Sequence, residues 1–444
     1  MRHSMKFMDH KTPVSIFWFR RDLRLDDNAG LYHALKSGNP VLPIFIFDKE
    51  ILDKLEDTDD ARVTFIYQTI ESLSVELHKH SSSLLVLYDK ALQAWDKLIK
   101  EYNIAEVYTN HDYEPYATKR DSEVDAKLKK HNIIFKTYKD QVIFEKDEVV
   151  KDDDKPYTVY TPYQRKWYST LKPFYLKAYP IKKYLKNLHK TKVLPIPTLK
   201  ELGFEKSGLL LPDKGYESVI KDYKEQRDFP AIKGTSHIGM HLRFGTVSIR
   251  ELASSAHSYH DKTWLNELIW REFYMMILHH FPHTKDHAFR PEYDRIHWVN
   301  DEKQFEAWCN GETGFPIVDA GMRELNATGF MHNRVRMIVA SFLSKDLLID
   351  WRWGERYFAR KLLDYEMASN IGGWQWAAGS GTDAAPYFRI FNPDAQTKKF
   401  DPELKYIKKW VPEYADFSKY PKPIVGHAVA RDRCLAVFKK ALAK

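Results

Sequence analysis

The segment "WLNELIWREFY" sets Glu267, Trp270, Arg271 and Tyr274 at i, i+3, i+4 and i+7, so a helix would carry a carboxyl, an indole and a guanidinium on one face. Taken alone, the pattern describes a surface Glu–Arg pair beside a core indole. In a cavity, the same carboxyl beside Trp270 offers a hydrogen bond to a flat heterocycle stacked on the ring. Downstream, "MHNRVRMIVASF" makes Asn333 and Met337 neighbours one turn apart, whereas Arg334 and Arg336 point about 200° from each other. One of these arginines can meet an external anion while the other turns inward, and an inward guanidinium requires a buried acid. Asp364 and Glu366 in "DYEM" are both available for that pairing.

In "RDFPAIKGTSHIGMHLRFG" the run Gly234, Thr235, Ser236 leads into a helical pattern. Such a start either binds phosphate through free backbone N–H groups or is simply capped by a hydroxyl. The stretch from Ala368 to Pro393 places Trp374 and Trp376 two residues apart behind the Gly372–Gly373 pair. On a helix the two indoles diverge by about 200°, so they are expected to serve two sites back to back. His257, His279 and His280 show no metal-ligand spacing, and Cys309 and Cys434 are too few for a thiolate zinc site or an iron–sulfur cluster. No metal is expected.

The elements that must hold these groups fall into two kinds. Apolar runs at "VSIFWF", "VLPIFIFD", "LLVLYD", "EVYTN" and "IIFKTY" alternate with helical segments, which predicts a doubly wound parallel α/β sheet over 13–140. No Gly-x-Gly-x-x-Gly or phosphate-loop motif follows its first strand, so an ordinary NAD or nucleoside-triphosphate site is not supported. Residues 141–214 are rich in proline and charge and read as a connector wrapped on the surface. From 215 to 444 helical periodicity dominates, predicting an all-α domain that carries every group named above.

With 444 residues, 43% of them hydrophobic, the chain can support two cores. Its formal net charge of +8 suits a polyanionic partner but does not demand one. The opening "MRHSMKFMDHKTPV" lacks the apolar core of a signal peptide and no run reaches the length of a membrane span, so a cytoplasmic protein is expected.

Taken together, "FWFRRDLRLDDN", "NELIWREFY", "TGFMHNRVRMIVASFLSKDLLIDW" and "GGWQWAAGSGTDAAPYFRIFNP" resemble the photolyase/cryptochrome flavoproteins, most closely the class I cyclobutane pyrimidine dimer (CPD) DNA photolyases. The resemblance implies an α/β antenna domain, a linker, and a helical domain that binds FAD and DNA. By the same resemblance the flavin site comprises Tyr223, the segment Thr235, Ser236, His237, Ile238 and Gly239, then Trp264, Arg271, Arg336, Asp364, Tyr365, Glu366 and Asn370. Arg336 would pair with Asp364, and Asn370 would face the flavin N5. The family usually has serine where Gly239 stands and often aspartate where Glu366 stands.

The lesion side of the family's site matches Glu267, Trp270, Asn333, Met337 and Trp376, with Gln396 near the DNA and Arg227, Arg271, Arg334 and Arg389 contacting phosphates. The implied activity is light-driven electron transfer from reduced FAD to a flipped-out dimer in single- or double-stranded UV-damaged DNA. A protonated Glu267, with Asn333, Met337 and Asn370, would assist. Trp374, Trp351 and Trp298 occupy the positions of the family's electron-hopping triad, so Trp374 would face the flavin's electron supply and Trp376 the lesion.

A monomer with no obligatory protein partner is expected. A second, antenna chromophore, folate or deazaflavin, is also implied: Lys285 matches a folate-binding position, whereas Tyr116 and Ala117 replace an Asn–Glu pair of the folate-binding members. Two rivals stay within the family. A cryptochrome that signals without repair often carries a C-terminal tail, and 6-4 photoproduct enzymes carry histidines where this chain has Asn333 and Met337.

Overall fold

The computed structural model describes residues 12–416 and 418–443; residues 1–11 of the leader stretch and Lys444 lie outside them. The described residues form two compact units, one α/β and one helical.

The first unit gathers residues up to 143 together with 173–211 and 244–252. Its core is a parallel five-stranded sheet of β1 (Val14–Phe19), β2 (Val41–Asp48), β3 (Leu85–Asp89), β4 (Ile104–Asn110) and β5 (Ile134–Tyr138), ordered β3-β2-β1-β4-β5. Every residue of β1 and β2 is buried, as the unbroken apolar runs require of central strands covered by helices on both faces. The doubly wound α/β reading is therefore correct. Asn28 starts the Ala29–Leu35 helix by accepting a hydrogen bond from the Leu31 N–H. Its neighbour Asp27 has its carboxylate gripped by Arg250 at 2.8 Å, and Arg250 also bonds Asp140 at 2.7 Å. These buried ions are paired, as their desolvation demands.

The second unit comprises 144–172, 212–243 and the chain from Ala253 onward, and its described residues form no strand. Its core packs around Trp308, Val318, Met322, Val335, Val339, Phe342, Trp351 and Trp374. Two glycines allow helices to approach closely. A Cβ on Gly354 would collide with the Trp374 ring, and one on Gly372 with the Tyr274 ring. Either substitution would force the core to reorganise around an indole or a phenol that has no room to move.

The stretch 141–214 is more structured than its composition implied. Tyr160–Thr170 is a helix that buries Tyr160, Tyr163 and Trp167, an i, i+3, i+7 set interrupted by polar residues and a proline. Trp167 Nε1 donates to Glu272 at 2.6 Å, which fixes this helix against Thr263–His280. Glu272 is itself buried and accepts the Phe144 N–H at 3.3 Å.

Candidate functional site

A cavity of about 380 Å³ in the helical unit is lined by the helices Thr263–His280, Asn333–Ser341 and Met367–Ala378, by the turn that precedes the last of them, and by Arg227, Phe358 and Leu362. That volume is of the size that takes a small-molecule ligand. Thr263–His280 contributes Glu267, Trp270, Arg271 and Tyr274, the four residues singled out by their spacing. Asn333–Ser341 contributes Asn333, Arg336 and Met337. The turn supplies Asp364, Tyr365 and Glu366, and Met367–Ala378 adds Asn370, Gly373, Trp374 and Trp376.

The two arginines of "NRVRM" diverge as the helix geometry requires. Arg336 turns to Asp364, with Nη2 donating to Oδ2 at 2.8 Å and Nε donating to the Met331 carbonyl at 2.7 Å. Gly239 lies against this pair: a Cβ there would come within 2.9 Å of the Asp364 Cβ. Glycine in place of the family's serine thus leaves room for Asp364. Arg334 instead donates to Asp228 at 2.7 Å and lies 4.3 Å from the centre of the Phe400 ring. Glu366 caps Met367–Ala378, accepting the Ser369 N–H at 3.1 Å. This backbone role needs only a carboxylate, which explains why glutamate can stand for aspartate.

His332, which sequence reasoning passed over, caps the helix bearing Asn333, Arg336 and Met337, its Nδ1 accepting from the Arg334 N–H at 3.2 Å. Burial first, then Arg336, pulls its pKa down to about 4, so the ring is neutral and keeps an acceptor for the cap. Its position directly before "NRVRM" was the available signal. Glu355 was also missed: Asn370 Nδ2 donates to its carboxylate at 3.0 Å and to its carbonyl at 3.1 Å. With its amide nitrogen so engaged, Asn370 is left with its oxygen for anything in the cavity. Burial raises the Glu355 carboxyl, and the Asn370 hydrogen bond opposes it.

Glu267 is ion-paired with Arg227. Burial raises the Glu267 pKa, against the lowering by Arg227. In this structure Arg227 and Arg334, both matched to phosphate contacts, have carboxylate partners instead.

Trp374 and Trp376 border the same cavity, contrary to the expectation of two sites back to back. The reason is Gly373. The shorter arc between the indoles spans about 160° and contains Ser369, Asn370 and Gly373. A Cβ on Gly373 would meet nothing, so the cavity wraps that bare face of the helix. Trp374 is 2% exposed and Trp376 half-buried.

The remaining residues lie off the cavity lining. Thr235, Ser236 and His237 lead without regular secondary structure into the short helix Gly239–Phe244, His237 with a left-handed backbone (φ 52°) and its ring stacked 3.7 Å over Phe330, and Ile238 buried. Tyr223 is half-buried, and Trp264, buried, stacks on Tyr216. Trp351 lies in the core that holds Trp374, and the half-buried Trp298 packs against it. Arg389 is exposed, its carbonyl held by buried Lys345 at 2.9 Å, and Gln396 is half-buried in the helix Pro393–Phe400. In the α/β unit the Tyr116 hydroxyl donates to Asp48 at 2.5 Å and Ala117 is buried. Lys285, in the helical unit, is exposed.

Among the described residues, the acceptor Asp364 Oδ1 and the donor Trp374 Nε1, both on residues that line the cavity, are buried without a hydrogen-bond partner. Beside the aromatic lining and the Arg336 guanidinium, they suit a flat, polar-edged heterocycle such as a flavin. Among the described residues no group of three or more His, Cys, Asp or Glu could hold a metal ion, and no helix is long and apolar enough to cross a membrane.

Two family models match the chain: "DNA photolyase" over residues 15–183 and "FAD binding domain of DNA photolyase" over 264–419. A deoxyribodipyrimidine photo-lyase of Synechococcus sp. is 37% identical over 467 residues, covering 96% of each chain. A crystal structure of a class III photolyase from Agrobacterium tumefaciens superposes with a TM-score of 0.86 at 34% identity, covering 99% of both chains. A cryptochrome of Synechocystis sp. superposes with a TM-score of 0.83 at 26% identity, covering 97% of this chain and all of that one.

Proposed function

The chain belongs to the DNA photolyase family, and on that premise we propose that it is a deoxyribodipyrimidine photo-lyase that holds FAD and repairs cyclobutane pyrimidine dimers in UV-damaged DNA. The class I reading of the motifs is narrower than the family. The observation that carries the proposal is that two sets of groups share one cavity: Arg336, Asp364 and Asn370, which suit a flavin, and Glu267, Trp270, Asn333, Met337 and Trp376, which suit a pair of flipped bases.

FAD would be held by Arg336, Asp364 and Asn370 and, in its reduced form, would supply the light-driven electron-transfer chemistry that dimer reversal needs. The protein's own residues do the rest. Arg336 and Asp364 would hold the flavin's polar edge, and Asn370, its amide nitrogen tied to Glu355, would offer it the amide oxygen. Trp270 and Trp376 give the extruded bases aromatic surfaces, and the damaged stack makes extrusion cheaper than for an intact pair. Arg227, Arg271, Arg334 and Arg389 face phosphates. When Arg227 turns from Glu267 to a phosphate, the carboxyl loses the cation that favours its charged form. Burial then favours protonated Glu267, which donates a hydrogen bond to a pyrimidine carbonyl.

The experiment is the repair quantum yield of fully reduced, dimer-saturated protein. Glu267→Ala is expected to slow the productive step about fivefold, the worth of one net hydrogen bond. An unchanged yield would remove Glu267 from the mechanism. Trp298, Trp351 and Trp374 are proposed to carry electrons to the flavin from outside. Residues 13–140 are proposed as the antenna domain, 141–214 as a connector and 215–444 as the catalytic domain, the whole acting as a monomer in the cytoplasm without an obligatory protein partner. A second chromophore would be a deazaflavin or another flavin rather than folate, because the Tyr116 hydroxyl is committed to Asp48 and Ala117 offers no polar group.

A further inference from the structure

Trp270 borders the cavity with one side of its indole already occupied. The Tyr160 ring lies 3.6 Å from it with an interplanar angle of 7°. No other ring meets it so squarely: Phe273 approaches edge-on at 5.7 Å, and Tyr274 is tilted at 5.5 Å. Tyr160 is itself fixed at both ends. Its hydroxyl donates to the Asn266 carbonyl at 2.9 Å, and its backbone N–H donates to Asp383 at 3.1 Å. Two residues earlier in the chain, the Thr158 carbonyl accepts from the Thr382 hydroxyl at 2.6 Å. The tyrosine is 7% exposed, whereas Trp270 is half-buried. Asn266, whose carbonyl anchors Tyr160, directly precedes Glu267 on the helix that carries Trp270.

We propose that Tyr160 is a positioning residue for lesion recognition: by filling the inner face of the Trp270 indole, it locks that side chain with its outer face set for a flipped pyrimidine. A lone tryptophan on a helix samples more than one rotamer, and fixing it upon binding would weaken the complex. The stack with Tyr160 meets that ordering cost during folding. The proposal rests on the reading of the cavity as a lesion site.

The test measures dissociation constants of the flavin-loaded protein, in the dark, for a single-stranded oligonucleotide with one cyclobutane dimer and for its undamaged counterpart. Trp270→Leu weakens binding of the dimer oligonucleotide. Tyr160→Leu weakens it about tenfold, the scale of one stacking contact, with flavin content and undamaged-strand binding as in the parent. Tyr160→Phe, which keeps the ring, restores most of the lost discrimination. The double variant Trp270→Leu/Tyr160→Leu is no weaker than Trp270→Leu alone, because the tyrosine acts only through the indole. Should Tyr160→Leu be recovered without flavin, Tyr160→Met, which refills the volume without a ring, carries the same expectation. Parental dimer affinity in the ring-less variant, or losses that add in the double variant, overturns the proposal. An unaffected Trp270→Leu variant overturns the lesion-site reading itself.

Discussion

Replacing Trp374 by phenylalanine is expected to cut light-driven reduction of the bound flavin by an external donor about a hundredfold or more, equivalent to only about 3 kcal/mol on a barrier. Trp374 lines the cavity, is 2% exposed, and has an indole N–H without a protein partner. Its ring is confined by Phe358 at 5.0 Å and Trp308 at 6.0 Å, and by the glycine at 354 that alone leaves it space. Phenylalanine keeps an aromatic ring in this slot, at a packing cost of about 1–2 kcal/mol, but is far harder to oxidise than an indole. Repair by chemically pre-reduced protein should fall much less, because that electron is already on the flavin. Undiminished photoreduction, read from the loss of oxidised-flavin absorbance under steady illumination, would contradict the assignment.

The second large effect concerns cofactor retention. Arg336→Leu removes the partner of Asp364 Oδ2 and leaves a carboxylate whose other oxygen already lacks a protein donor. Breaking a fully buried pair costs about 3–5 kcal/mol. These side chains are roughly a quarter exposed, so screening reduces the figure to about 1–3 kcal/mol, or about ten- to a hundredfold in flavin affinity. The variant should be purified with most of its FAD lost, as read from the ratio of flavin to protein absorbance. Asp364→Asn keeps an acceptor and should lose less. Full occupancy in Arg336→Leu would show that the pair is structural only.

Helix spacing and strand composition made a good part of the molecule legible in advance. The unbroken apolar runs marked β1 and β2, and the i, i+3, i+4, i+7 set brought Glu267, Trp270, Arg271 and Tyr274 to one cavity because the helix Thr263–His280 is regular across them. Helix geometry required one arginine of "NRVRM" to find an acid but left Arg334 or Arg336 and Asp364 or Glu366 open; the family resemblance narrowed these to Arg336 and Asp364, which pair across 28 residues. Arg227 with Glu267 and Arg334 with Asp228 were not legible, since each pair joins elements 40 and 106 residues apart with no periodic relation. Tyr160 was hidden by the prolines and charges around its helix. The shared cavity of Trp374 and Trp376 depends on Gly373, whose contribution is an absent side chain. A pattern of present side chains cannot register it.

In the function proposed, one cavity holds a light-driven reductant against a cyclobutane dimer. The direct measurement is to illuminate fully reduced protein with an oligonucleotide carrying a single such dimer and to follow the return of intact thymines by their ultraviolet absorbance. The expected result is light-dependent restoration, absent in the dark. No restoration by protein that binds flavin normally would contradict the account and favour a light receptor of the cryptochrome kind.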